Sequence, residues 1–211
     1  MKIHRIIVSQ MQTNCYIILT DKGHAVVVDP GDEAEKILDV LKQEHAVLNS
    51  IFLTHGHFDH IGAVNALQQS THSQVLTYVH QADQVMLNDA QKNFAAAVGL
   101  QSFPACKADT TFKDEDICVD GLKFQVIHTP GHSKGSCCIL VDDVLFSGDT
   151  LFCESIGRCD GFGGSLDEMM QSLKKLAVLK GNLRILPGHG EETTLSYEKS
   201  HNPYLIAAMK G

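Results

Sequence analysis

The sequence predicts an α/β sandwich with helices on the outside, and two observations support this fold class. Short apolar runs rich in β-branched residues recur along the 211 residues, and turn signals such as DKG, DPG and DG bound them. Segments with apolar residues at helical spacing lie between these runs. Runs of strands interrupted by single helices are typical of sheets that carry helices on their outer faces.

The elements follow in order along the chain. Strands are predicted at 15–20, 25–31, 50–56, 74–80, 116–119, 123–131, 137–141, 144–149 and 183–190. Helices are predicted at 33–43, 61–69, 82–98 and 166–180. Met169 and Met170 lie on the apolar face of the last helix and are predicted to pack in the core. A polar surface loop is predicted at 99–116.

A weak internal repeat predicts one domain, 1–211, built from two similar halves. CYIILTDKGHAVVVDPG reads as strand, tight turn, strand and Asp, and SCCILVDDVLFSGDT reads in the same way. No low-complexity segment or Pro/Gly/Ser-rich linker divides the chain. With 44% hydrophobic residues, the chain is long enough to bury one core of ordinary size.

Net charge, apolar runs and cysteine spacing limit the classes of partner and of cysteine site that we expect. The formal net charge is −8 and no basic run occurs, so nucleic acid is not an expected partner. No apolar run approaches the length of a membrane span or a signal-peptide core, so we expect a cytoplasmic protein without a membrane partner. Seven cysteines without a C-x-x-C pair are interpreted as reduced thiols, most of them buried.

The segment LTHGHFDHIG concentrates metal-binding side chains in one turn. His55 and His57 stand two residues apart after an apolar strand, so in extended backbone their side chains point the same way. Asp59 and His60 follow where a helical pattern starts, which directs these side chains to a different point. The spacing therefore predicts donors for two metal ions.

Three further candidates each follow a predicted strand, with Gly or Pro in the turn: His132, Asp149 and His189. Loops at one end of a sheet are where sites are built. Seven donors exceed the three that a catalytic zinc ion normally takes from a protein, and they suit two ions. We expect one ion at His55, His57 and His132, a second at Asp59, His60 and His189, and Asp149 between them.

The motifs THGHFDH, GHSKGS, SGDTLF, IGRCDG and LPGHG, in this order, resemble the metallo-β-lactamase superfamily and most closely its short glyoxalase II-like hydrolases. The resemblance extends over most of the chain. It implies a four-layer αββα sandwich with a dinuclear metal site at one edge, formed by the seven donors. Because 21 residues follow Gly190, we do not expect the additional C-terminal helical domain that long glyoxalase II enzymes carry.

Two divalent cations would lower the pKa of a bridging water and polarise a carbonyl group. The resemblance implies hydrolysis of a small-molecule thioester of the S-2-hydroxyacylglutathione type, such as S-lactoylglutathione. Asp59 would orient the attacking hydroxide, and Arg158 would brace the ligands or be a plain surface arginine. Zinc suits the His-rich donors, and mixed His and carboxylate donors also suit iron or manganese. Oligomeric state is not predicted.

Other functions remain open at this point. Persulfide dioxygenases share the fold but use one iron ion with two His and one Asp, and they usually carry Ala at the position of Thr150. Lactonase, other esterase, β-lactamase and RNase activities belong to the wider superfamily. A non-catalytic metal-binding module is a further class, and it predicts a closed coordination shell without turnover.

Several noticeable residues are interpreted as structural or solvated rather than functional: His80, His128, Asp29, Lys134, Cys153 and Cys159. Asp29 lies in an Asp-Pro-Gly turn, which is the simpler account of its presence. The sequence does not decide whether residues 87–100 cover the site.

Overall fold

Two six-stranded sheets pack face to face in the computed structural model, which describes residues 1–71 and 74–211. In spatial order, the first sheet contains β1 (Lys2–Val8), β2 (Thr13–Leu19), β3 (His24–Val28), β4 (Val47–Phe52), β5 (Leu76–His80) and β6 (Thr110–Phe112). The second sheet contains β7 (Asp116–Val119), β8 (Leu122–His128), β9 (Cys137–Val141), β10 (Val144–Gly148), β13 (Arg184–Pro187) and β14 (Thr193–Thr194). A short hairpin contains β11 (Leu151–Phe152) and β12 (Ser155–Ile156).

The helices lie on the outer faces of the sheets or in the turns between strands. They are α1 (Ala34–Gln43), α2 (Phe58–Ile61), α3 (Val64–Gln69), α4 (Leu166–Ala177), α5 (Leu195–His201) and α6 (Pro203–Lys210). Two 3₁₀ helices span Gln81–Met86 and Ala96–Val98. None of the helices in the described ranges is long and apolar enough to cross a bilayer.

Three apolar clusters of the described residues separate these layers. Strand β2 alternates between two of them: Ile17 packs on the side of α1 and α3, whereas Ile18 faces the other sheet. Phe52 stacks on Phe124 at a ring-centroid distance of 4.7 Å, which joins the two sheets in the central layer. The third cluster lies between the second sheet and α4, α5 and α6. The fold is therefore the expected four-layer αββα sandwich.

Strand direction brings the loops that carry the candidate donors to one edge. β3 and β4 are parallel, so their carboxyl ends meet at the same edge of the first sheet. β10 and β13 are parallel as well, and β8 runs in the same direction because two antiparallel pairings separate it from β10. An isolated bridge between Thr13 and His189 connects the two sheets beside this edge.

The predicted helix over 82–98 is wrong. The chain forms the 3₁₀ helix Gln81–Met86, then turns, and then the 3₁₀ helix Ala96–Val98. The side chain of Asn93 donates to the carbonyl of Met86 and accepts from the amide of Ala95, and Phe94 has a positive φ of 69°. These side-chain bonds to the backbone compete with a continuous helix.

Candidate metal centre

The HGHFDH turn joins β4 to α2, and its four candidate donors are buried. His57 has extended backbone (φ −72°, ψ 149°) and immediately precedes α2, which carries Asp59 and His60 in its first turn. The exposed fraction of these side chains is small, and it is 0% for His60. The change from strand to helix therefore separates the donors into two pairs, as the spacing predicts.

The second sheet supplies the other candidates from the loops after β8, β10 and β13. His132 and Asp149 are buried, with 3% and 8% of their surface exposed, and His189 is partly exposed. The amide of Asn14 donates to the carbonyl of Gly188 at 2.7 Å, and the hydroxyl of Tyr16 donates to the carbonyl of Pro187 at 2.7 Å. These contacts with β2 fix the loop that carries His189.

The structure brings all seven predicted donors together. Within each of two sets, one potential ligand atom per residue lies within 4.8 Å of the others: His55, His57 and His132 in one, and Asp59, His60 and His189 in the other. Asp149 lies between the sets. Its Oδ2 is 3.4 Å from Nε2 of His132, and its Oδ1 is 3.5 Å from Nε2 of His60. The seven side chains therefore lie in the two groups that the sequence analysis describes, with Asp149 between them.

The donor chemistry fits bound cations. Among the described residues, Nε2 of His55, Nε2 of His57 and Oδ1 of Asp149 are buried without a hydrogen-bond partner. A buried polar atom without a partner costs about 1–3 kcal/mol, which coordination of an ion would offset. The donors and the fold together indicate a divalent metal site.

Hydrogen bonds also fix the imidazole tautomers in a form suited to metals. Nδ1 of His132 donates to the carbonyl of Arg158 at 2.8 Å, and Nδ1 of His189 donates to the carbonyl of Met11 at 3.1 Å. Because a carbonyl can only accept, each Nδ1 carries a hydrogen, and Nε2 of each ring faces the carboxylates of the site.

Electrostatics divide the site into neutral and charged parts. Burial and the neighbouring imidazoles hold the pKa of His55 and His57 well below the usual value, so both rings are neutral. Burial also lowers the pKa of His60, but the carboxylates of Asp59, Asp149 and Asp29 outweigh it and raise this pKa to about 10. Burial opposes ionisation of Asp59, yet His60 and His189 hold its pKa well below the usual range. The carboxylates thus attract positive charge to the site.

The interpretation of Asp29 as a simple turn residue is incomplete, because its side chain contacts a candidate ligand. Its carboxylate accepts hydrogen bonds from the amide and hydroxyl of Thr54 at 2.8 and 2.6 Å and from Nδ1 of His60 at 3.0 Å. It therefore orients a candidate ligand while joining the ends of β3 and β4. Its position directly after an apolar strand is the same sequence signal that marks Asp149.

Arg158 touches the site through its backbone rather than its side chain. Its carbonyl holds His132, whereas its guanidinium forms two hydrogen bonds with Asp160, at 2.7 and 3.0 Å, and lies 5.0 Å from the ring centre of Phe94. The side chain is mostly exposed. The backbone carbonyl at this position therefore orients the candidate ligand His132, and the arginine side chain takes no part in this contact.

Asp83 is a buried carboxylate that the sequence analysis missed. Its oxygens accept from the amide of Gly56 at 3.0 Å, the amide of Gly135 at 2.6 Å and the hydroxyl of Ser133 at 2.6 Å. It therefore connects the turn that carries His57 with the loop that carries His132. No spacing in QADQVM marks this role, because the three donors come from distant segments.

The residues interpreted as structural have other partners. His80 and His128 stack on each other with ring centres 4.0 Å apart, and Lys134 pairs with Glu168 at 2.6 Å. The cysteines of the described residues are free thiols, with Cys153 exposed and Cys159 half-buried. None of these side chains belongs to the two donor sets.

A cavity of about 510 Å³ opens onto the donors. Its lining contains His57, Asp59, His132, Asp149, His189, Met11, Phe58, Phe94, Ala97, Val98, Phe152, Gly157 and Arg158. Residues of the 87–100 segment thus form part of its wall. Direct access from the cavity to both donor sets is the arrangement of a catalytic site, because a structural metal site is closed by its ligands.

A family profile described as "Metallo-beta-lactamase superfamily" matches residues 8–189. The chain belongs to this superfamily. It is a metal-dependent hydrolase of this superfamily. A relative from Haemophilus influenzae, described as "Hydroxyacylglutathione hydrolase GloC", is 34% identical over 210 residues, which cover 97% of this chain and 98% of the relative.

Solved structures of the superfamily superimpose closely on this chain. The BLEG-1 B3 metallo-beta-lactamase is 36% identical with a TM-score of 0.91, covering 97% of this chain and 99% of its own. TTHA1623 in a di-iron-bound form is 35% identical with a TM-score of 0.85, covering 95% and 99%. ETHE1 from Myxococcus xanthus is 26% identical with a TM-score of 0.79, covering 100% and 91%.

Proposed function

We propose that this protein is a dinuclear metal hydrolase that cleaves thioesters of the S-2-hydroxyacylglutathione type, with S-lactoylglutathione as a representative substrate. The observation that carries the proposal is the pair of donor sets, joined by Asp149, at the wall of an open cavity. The GloC relative supports the choice of thioester. The proposed ligands are His55, His57, His132, Asp59, His60, His189 and Asp149.

When bound, two divalent ions, Zn²⁺ in our proposal, supply Lewis acidity and lower the pKa of water at the site. The chain's own residues position the reaction. The hydroxyl of Thr13 donates to Oδ2 of Asp59 at 2.9 Å, which fixes this carboxylate. We assign Asp59 a catalytic role as acceptor of a hydrogen bond from the attacking water. Arg158 holds His132 through its carbonyl and leaves its guanidinium at the cavity wall.

The test combines metal analysis with thioester hydrolysis. We expect about two metal ions per chain and release of free thiol from S-lactoylglutathione. Asp149→Ala should lower kcat/KM at least about 100-fold, because loss of a partner of a metal ligand already costs about 10- to 100-fold. Asp39→Ala, which changes an exposed carboxylate on α1, is the matched control and should keep wild-type activity. Hydrolytic inactivity of the fully metallated wild type toward thioesters would refute the proposal.

Similar solved structures suggest two other reactions, and the experiment tests each of them separately. The likeness to ETHE1 suggests persulfide oxidation as one alternative, measured as oxygen uptake with one iron ion per chain. The retained second donor set, Asp59, His60 and His189, favours hydrolysis instead. The likeness to the BLEG-1 β-lactamase makes a chromogenic cephalosporin the second comparison substrate.

A further inference from the structure

Phe94 forms a rigid aromatic wall beside the candidate ligands. Its ring centre lies 4.8 Å from that of His57, and the guanidinium of Arg158 lies 5.0 Å from it on the cavity wall. The ring also packs so closely on Gly161 that a Cβ added there would clash with it. Contacts with the turn that carries His57 and with the loop that carries Arg158 and Gly161 therefore fix where this ring lies.

The backbone at Phe94 is held in an unfavourable conformation. Its φ of 69° lies in the left-handed region, which is rare for a bulky residue and unfavourable in conformational free energy. Buried Asn93 maintains this conformation through its side-chain bonds to Met86 and Ala95, and its carbonyl accepts from the amide of Phe58 at 3.0 Å. A strained residue held in this way at a cavity wall indicates a functional position.

The wall continues with apolar side chains that solvent can reach. Ala97 and Val98 line the cavity beside Phe94, and 51% of the surface of Val98 is exposed. Among the described residues of the lining, the one side chain with a permanent positive charge is that of Arg158. Its guanidinium already pairs with Asp160. The wall thus offers apolar contact without an unpaired lysine or arginine.

We infer that Phe94, with Ala97 and Val98, forms an apolar subsite that binds an uncharged hydrocarbon substituent of the thioester substrate. Phe94 is then a specificity-determining residue. The inference rests on the proposed function, because the subsite lies beside the donors that would act on the thioester. The hydrocarbon group belongs either to the acyl part or to the thiol part, and the turnover experiment distinguishes these two sources.

Binding is measured first, without turnover. Calorimetry with the protein as purified compares S-ethyl, S-butyl and S-hexyl thioethers of N-acetylcysteamine, which lack the thioester bond and are not hydrolysed. We expect Kd to fall about fourfold for each added methylene in the wild type, as burial of hydrocarbon predicts. Phe94→Ala should abolish most of this dependence. Phe162→Ala is the matched control, because Phe162 contacts Lys92 and lies outside the cavity lining.

Turnover by the metal-loaded protein then assigns the source of the group. One series lengthens the acyl chain on N-acetylcysteamine, and the other lengthens the thiol of an acetyl thioester. In one series kcat/KM should rise with chain length in the wild type and in Phe94→Leu, which keeps an apolar side chain, but not in Phe94→Ala.

Outcomes separate the inference from the proposed function. Equal Kd values for the ethyl and hexyl thioethers, or an unchanged trend in Phe94→Ala, would overturn the subsite even if thioesters are hydrolysed. A chain-length trend in Kd that depends on Phe94 supports the subsite even if no thioester is hydrolysed, in which case the proposed function alone fails.

Discussion

Asp29 shows how one carboxylate prepares an imidazole to bind an ion. It accepts from Nδ1 of His60 and from both donors of Thr54, so it sets the ring orientation and ties it to the end of β4. Asp29→Asn replaces an acceptor oxygen with an amide group in this position. We expect about 10- to 100-fold weaker metal binding, which is typical for loss of a partner of a metal-bound histidine.

Competition with a chromophoric chelator measures this change in metal affinity. Asp39→Asn on the exposed face of α1 is the control and should bind metal like the wild type. Equal affinities of Asp29→Asn and the control would show that the Asp29–His60 bond does not support metal binding.

His80 predicts a pH dependence of stability away from the donors. Burial, together with His128, lowers its pKa from 6.5 to about 4. Because the unfolded chain takes up a proton at a higher pH than the folded one, the contribution of His80 is fully present above about pH 6.5. It is lost as the pH falls to about 4, by at most about 1.4 kcal/mol for each pH unit.

His80→Asn keeps a side-chain acceptor for the amide of Ala82 but removes the titrating ring. The free energy of unfolding of the metal-free variant, from urea titrations, should therefore depend less on pH between 6.5 and 4 than that of the wild type. His201→Asn, at an exposed histidine on α5, is the control. Parallel curves for His80→Asn and the wild type would contradict this account.

At the residue scale, the sequence predicts those site residues that directly follow a predicted strand. The spacing of His55 and His57 and the change to α2 at Asp59 predict from local pattern how the donors of this turn divide between the two sets. Partners from other segments are not predictable in this way. Asp83 is the clearest case, since its hydrogen-bond donors lie at Gly56, Ser133 and Gly135.

Among the elements, the 3₁₀ helix Gln81–Met86 connects the two ligand loops through Asp83. Asp83→Asn places an amide where two backbone amides and a hydroxyl donate, so at least one buried donor loses its partner. We expect a loss of about 1–3 kcal/mol in the free energy of unfolding. We also expect weaker metal binding at His57 and His132, because both loops lose their common anchor.

Urea unfolding and metal analysis of the same preparation test both effects. Asp142→Asn is the control, because Asp142 lies in an exposed turn with a φ of 53°, a conformation that Asn tolerates. A destabilised Asp83→Asn protein that still binds two ions with wild-type affinity would limit Asp83 to a role in stability.

The sequence predicts those helices whose apolar stripe is also the face that packs against the rest of the protein. α1 and α4 occur close to the predicted ranges because each buries one apolar stripe. β1 was not predicted, since KIHRIIV mixes charged and apolar residues, and its seven-residue pairing with β2 stabilises it at the edge of the sheet. α5 and α6 were also missed, although Thr194 and Asn202 cap them.

For the whole molecule, the proposed metal centre links the two sheets. The first sheet contributes His55, His57, Asp59 and His60 through one turn, and the second contributes His132, Asp149 and His189 through three loops. Ions bound here should stabilise the folded state by about 2.7 kcal/mol at a free concentration of 100 times Kd. Chelation should therefore lower Tm, and added metal should restore it.

Differential scanning calorimetry with and without chelator measures this stabilisation. Asp149→Ala should show a smaller metal-dependent shift of Tm, whereas Asp39→Ala should match the wild type. An unchanged Tm after complete metal removal would show that bound ions contribute nothing to the association of the sheets.

The contact of His189 with Met11 and Thr13 also has a consequence for biosynthesis. His189 is held against Met11 and paired with Thr13, so this candidate donor is placed by a segment made 178 residues earlier in translation. A nascent chain can complete its Asp59–His60–His189 set only after residue 189 has left the ribosome. In our proposal, the second ion is therefore bound only by a chain whose two sheets have already joined.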